Sequence, residues 1–168
     1  MINYKKEAIK LREGFEGIIP VPIEEIARKC GVEVKYGALD GNISGMLLRQ
    51  DGRATIGINA YHHRNRQNFT LAHELAHWWL QHEGEFFVDY KVIFRDSNSS
   101  SGTNDDEREA NALAAELLMP EEELLRELKH SGIDIEDDED LSALADKFAV
   151  SQKAMTYRLI NLRHKESI

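Results

Sequence analysis

Cysteine is nearly missing from this chain. The single Cys30 can neither close an intrachain disulfide nor build a cysteine-based metal site. Long apolar runs are missing too, since none approaches the ~20 residues that cross a bilayer. The opening MINYKKEAIKLREGFEG is charged throughout and has no apolar signal core. Together these absences predict a soluble, cytoplasmic protein. An excess of basic residues is also lacking: 21 Lys and Arg stand against 30 Asp and Glu, a net charge of −9. Non-specific nucleic-acid binding needs a basic face, and this balance excludes one over most of the chain.

What is present suits one ordinary domain, with at most a small appendage: 168 residues, 42% apolar and 30% charged. The charge is unevenly placed. Residues 1–104 carry 13 of each sign, residues 105–140 hold 15 acids and 3 bases, and residues 141–168 hold 2 acids and 5 bases. Only the last 28 residues therefore lean basic.

Periodicity and punctuation predict the elements. Residues 3–14 read as a helix stopping near Gly14, and Ile23 to Cys30 as a second helix closed by Gly31. Val32 to Tyr36 alternate as a strand. Residues 43–58 read as a β-hairpin, with Asp51-Gly52 between two apolar runs. A helix then spans about 68–82, capped by Asn68 or Thr70. Phe86 to Phe94 suggest a strand, and Arg95 to Asn104 a polar surface loop. Helices are expected over 105–118 and 120–130, an acidic connection over 133–140, and two last helices over 141–149 and 151–162, with Ser151 capping the second. The predicted fold class is α+β: a small antiparallel or mixed sheet packed on a central helix, with a helical C-terminal half. We expect a core over residues 1–130 and a helical, helix-turn-helix-like subdomain over 131–168.

The central helix carries the chemistry. It is apolar nearly all round, yet it holds His73, Glu74 and His77, and polar groups belong in a core only if something satisfies them. His73-Glu74-Leu75-Ala76-His77 is an HExxH motif. Residues four apart share a helix face, so both imidazoles can reach one ion at ~2.0–2.1 Å. Glu74 is rotated off that face and flanks the ion, where it can take a proton from a water. The competing reading is a pair of core histidines hydrogen-bonded to neighbours; three polar side chains on one buried helix argue against it. A hydrolytic zinc site needs a third protein ligand. His82 lies about 140° round the helix from His77, reckoned at 3.6 residues per turn, and is expected to point elsewhere as a helix-end residue. Glu107 and Glu109 point to different faces of the next helix. Glu107 shares a stripe with Asn111, Ala114, Ala115 and Leu118, whose small members suit a close helix approach. Glu109 falls on the expected solvent face. The stripe favours Glu107 as ligand, with Asn111 one turn on, able to orient an imidazole.

The run Phe69 to His77, followed by Glu107 to Pro120, closely resembles the ImmA/IrrE-type metallopeptidases. So do the flanks Pro22 to Ala27 with Gly31, Ile43-Ser44-Gly45, Ile58-Asn59, and Leu144-Ala145 through Arg158-Leu159. Nearly the whole chain is covered. One departure is Arg66-Gln67-Asn68-Phe69, where members often carry a second basic residue before the phenylalanine. The resemblance implies one Zn2+ per chain held by His73, His77 and Glu107, with Glu74 as catalytic base. It also implies a bacterial or phage-borne peptidase that cleaves a regulator, commonly a helix-turn-helix repressor; an antitoxin is a further candidate. Tyr61, His62, His63 and Tyr90 are candidate donors to a tetrahedral oxyanion. The strand at 53–58 is expected to offer an edge to an extended substrate. The alternative function is a non-proteolytic module binding DNA or a regulator through residues 144–159, whose second helix carries Gln152, Lys153, Thr156 and Arg158. The acidic segment beside it makes direct DNA binding the weaker reading.

Overall fold

The structure, a computed structural model, describes residues 2–82, 86–90 and 104–166. Helix α1 (Tyr4–Leu11) is capped by Asn3, whose Oδ1 accepts from the Lys6 amide at 3.0 Å, and it buries Ala8 and Leu11. Helix α2 (Ile23–Lys29) follows Pro22 and turns Ile23, Ile26 and Ala27 inward. Gly31, at φ +79°, ends it in the left-handed region that glycine adopts at low cost.

Four strands make one mixed sheet in the order β1-β3-β2-β4. β1 (Val32–Gly37) runs parallel to β3 (Arg53–Asn59), with Val32 opposite Ala54. β2 (Ile43–Gln50) runs antiparallel to β3 and, on its other side, to β4 (Phe86–Tyr90). The β2–β3 turn places Asp51 at φ +51° and Gly52 at φ +74°, the twist that a two-residue hairpin favours. Leu47, Ala54, Ile56 and Ile58 alternate onto one buried face. β3 is thus flanked on both sides. The expected use of 53–58 as a free edge is corrected, because its backbone groups are already engaged by β1 and β2.

Helix α3 (Arg64–Trp79) lies on β2 and β3 and beside α4 (Asn104–Leu118). It begins about a turn earlier than predicted. His63, not Asn68 or Thr70, is the cap, accepting through Nδ1 from the Asn65 amide at 3.2 Å. Asn68 lies inside the helix and donates to the Ala149 carbonyl at 3.1 Å. Thr70 is buried where the helix crosses β2 close to Gly45. The remainder of the strand predicted to Phe94, and most of the polar loop, lie outside the described residues; Asn104 already opens α4.

Beyond Pro120 come α5 (Glu121–Ser131), α6 (Asp138–Lys147) and α7 (Gln152–Glu166). α6 starts earlier than the predicted Leu141. Asp137 caps it with two backbone bonds, and three acids in the first turn meet the positive end of its dipole. The C-terminal pair is fastened to the rest by side chains. Asn65 donates to the Val150 carbonyl at 2.9 Å, and Arg158 of α7 forms a buried two-pronged ion pair with Glu116 of α4. Of the four α7 residues named for the alternative DNA-binding reading, Arg158 is consumed in that pair. Thr156 donates to the Gln152 carbonyl, and Gln152 donates to Asp138.

Candidate metal centre

The centre forms where α3 and α4 lie side by side. α4 can approach closely because Ala110 and Ala114 are fully buried and small. Among the described residues, His73, His77 and Glu107 are the group whose ligating atoms converge, all within 4.8 Å of one another. The two Nε2 atoms stand 3.1 Å apart. Glu107 presents Oε2 at 3.4 Å from His73 and Oε1 at 3.5 Å from His77. Donors held at ~2.0–2.2 Å around a tetrahedral zinc are separated by about 3.3–3.6 Å. Each imidazole thus meets its own oxygen of the Glu107 carboxylate at about the separation that donors of a tetrahedral zinc keep, and the three side chains converge on one point.

Proton positions support the fit. Asn111 Oδ1 lies 3.1 Å from His73 Nδ1, so with the amide oxygen as acceptor that nitrogen carries the hydrogen and Nε2 keeps its lone pair. Burial drives His77 towards neutrality, its pKa falling to about 4, even though Glu107 pulls the other way. The Glu107 carboxyl is held well below the usual range by His73 first and then His77, against the effect of its burial. A carboxylate facing two imidazole nitrogens is a donor set of the kind that holds a cation.

Glu74 is buried on the same stretch of helix, rotated from the histidine face by one residue. Tyr61 is 81% exposed. His63 caps α3 ten residues before His73, about 15 Å along the axis at 1.5 Å per residue. His62 is partly buried beside it. Tyr90 pairs through its backbone with Ile43, and its side chain lies outside the described residues.

Three residues near the centre escape the sequence reading. His82 does not point away: it is buried with Nδ1 2.8 Å from His77 Nδ1. The helical wheel fails for it because α3 ends before it, at Trp79 with Leu80 as its cap, and Gln81 takes φ +57°. Glu109, assigned to solvent, instead sets Oε2 3.3 Å from His82 Nε2. Arg49 of β2 donates to the carbonyls of both His77 and His82, at 2.7 and 2.6 Å. A histidine placed just past the end of a buried helix was the available signal for the first; the other two have none.

A sheet backed by a helix that carries two histidines one turn apart, with a carboxylate brought in by the neighbouring helix, makes an α+β domain whose side chains could hold a metal ion. The comparison with known families agrees. Residues 27–160 match the model of the IrrE N-terminal-like domain, Peptidase_M78, and the chain belongs to that family. A solved structure described as a Mycobacterium tuberculosis transcriptional regulator shares the fold, with a TM-score of 0.65 at 17% identity. The match covers 95% of this chain and 47% of that one, so the chain spans about half the length of that protein. No curated protein matches the sequence.

Proposed function

We propose that this chain is a zinc-dependent endopeptidase that cleaves a protein regulator, a helix-turn-helix repressor or an antitoxin, in the cytoplasm. The observation that carries this reading is the convergence of His73 Nε2, His77 Nε2 and the two carboxylate oxygens of Glu107, at separations of 3.1 to 3.5 Å. These three would hold one Zn2+, with Asn111 orienting His73. A zinc ion there would supply Lewis acidity, lowering the pKa of a water to ~7 and polarising a peptide carbonyl. Glu74 is the base that takes the proton from the attacking water and passes it to the departing amine. Of the four candidate oxyanion donors His63 is set aside, since it caps α3 about 15 Å along the axis from His73, and the donor comes from among Tyr61, His62 and Tyr90. Residues 1–130 make the catalytic core and 131–168 a helical cap. Burial of Arg158 against Glu116 counts against the rival reading of that cap as a DNA-binding module. So does its position beside α6, whose first turn holds three acids.

The test is metal stoichiometry followed by cleavage. About one zinc per chain is expected in the wild type and in Glu74→Gln, and none in Glu107→Ala. Incubation with repressors encoded beside the gene should yield fragments with the wild type alone. Absence of zinc after reconstitution would end the metallopeptidase reading, and fragments produced by Glu74→Gln would end the assignment of the base.

A further inference from the structure

An imidazole can offer a metal either nitrogen, so a ligand histidine must be told which one to present and where to aim it. For His73 that task falls to Asn111. For His77 the neighbours are different and unusual, because the group at its Nδ1 is a second histidine. The two Nδ1 atoms, 2.8 Å apart, must share one hydrogen. The other end of His82 decides which ring owns it. His82 Nε2 faces the Glu109 carboxylate at 3.3 Å, with Asp106 further off at 3.9 Å. A carboxylate oxygen accepts, so His82 turns an Nε2–H to Glu109 and the lone pair of its Nδ1 to His77. His77 Nδ1–H therefore donates to His82. Its Nε2 is left bare, turned towards His73 and Glu107.

The backbone is arranged to keep this contact. Gln81, in the left-handed region, reverses the chain at the end of α3, and the His82 amide donates back to the His77 carbonyl at 3.2 Å. The rings meet edge to face with centroids 5.0 Å apart. Arg49, reaching over from β2, brackets the same two residues by bonding both their carbonyls. Three elements thus converge on one ligand: the turn after α3 supplies the acceptor, α4 supplies the carboxylate behind it, and β2 fixes the turn.

We propose that His82 and Glu109, with the turn held by Arg49, are positioning residues that lock His77 in its Nδ1–H tautomer and aim Nε2 into the donor set. This rests on the metal-centre reading above, but the tautomer can be observed without metal. The experiment uses the full chain. Nitrogen-15 NMR of the His77 ring is recorded on zinc-free protein, and zinc affinity is measured by chelator competition. His82→Phe keeps a ring but removes the acceptor, whereas His82→Asn returns an acceptor oxygen near the Nδ1 position. Wild type should show a single Nδ1–H tautomer. His82→Phe should show a mixture and bind zinc about 10- to 100-fold more weakly, the range for loss of a partner that orients a ligand. His82→Asn should recover most of both. If His82→Phe does not fold, Glu109→Ala carries the same two readouts, since that side chain is about a third exposed. Wild-type tautomer and affinity in His82→Phe would overturn the proposal, as would equal losses in Phe and Asn. A single locked tautomer in a wild type that takes up no zinc would sustain the lock and sink the metal-centre reading instead.

Discussion

Replacing Arg158 by methionine is a severe test of how α7 is held. The guanidinium delivers Nη1 to Glu116 Oε1 at 2.9 Å, Nη2 to Oε2 at 2.7 Å and Nε to the Met119 carbonyl at 3.0 Å. Both side chains are about 5% exposed or less. A buried pair of this kind is not strongly stabilising overall, because two charges leave water to form it. Breaking it from one side is another matter, since Glu116 then sits in the interior without the cation that neutralises it. The cost expected for Arg158→Met is about 3–5 kcal/mol. In a chain of this length that lowers the thermal midpoint by roughly 6–20 °C. Glu116→Met should cost a similar amount, but the double variant Glu116→Met/Arg158→Met should recover most of the loss, because neither charge remains to be desolvated. The assay is urea unfolding of the four proteins in zinc-free buffer, read as a double-mutant cycle. A single variant within 1 kcal/mol of wild type would refute the reasoning, as would a double variant whose loss equals the sum of the singles.

Two further predictions concern packing and acid. A methyl at Gly45 would stand 2.4 Å from Thr70 Cγ2 and 3.1 Å from the Gly57 carbonyl. Gly45→Ala should therefore cost about 1–3 kcal/mol, and adding Thr70→Ser should return much of it; a neutral Gly45→Ala in denaturant melts would contradict the close crossing of α3 over β2. His77 has a folded pKa of about 4 against an ordinary 6.5, so the unfolded chain binds this proton first. Stability of zinc-free protein should then fall as pH drops from about 6.5 to about 4, by on the order of 3 kcal/mol. The depressed Glu107 acts in the same direction at lower pH. His77→Gln should flatten the upper part of that curve, and a wild-type profile already flat there would refute the assignment of burial as the cause.

The parts of this molecule legible in its sequence are those governed by short-range rules. Gly31 ends α2, Asp51-Gly52 turns the hairpin, and the four-residue spacing of His73 and His77 puts both on one face; each depends on neighbours a few positions away. The approach of Glu107 to the two histidines was readable because a stripe of small residues marks where a helix can come close. Helix starts were less legible, since His63 and Asp137 act as caps through side-chain bonds that compete with several nearby polar candidates. Strand order was not readable at all. Nothing local to residues 53–59 says that β1 will pair in parallel on one side and β2 antiparallel on the other. His82 and Glu109 eluded the reading for a related reason: a helical wheel describes a helix only while it continues, and α3 stops at Trp79, short of where His82 would have been carried away.

The donors of the centre come from two helices that pack directly on each other, yet 29 residues of chain separate His77 from Glu107. Joining two anchored ends by a longer connection is cheap, since doubling a flexible loop adds only about 0.6 kcal/mol. The donor set depends on the packing of α3 against α4 rather than on the number of residues that join them. The donor positions and the chain that joins the two helices can therefore vary separately, in evolution or in design.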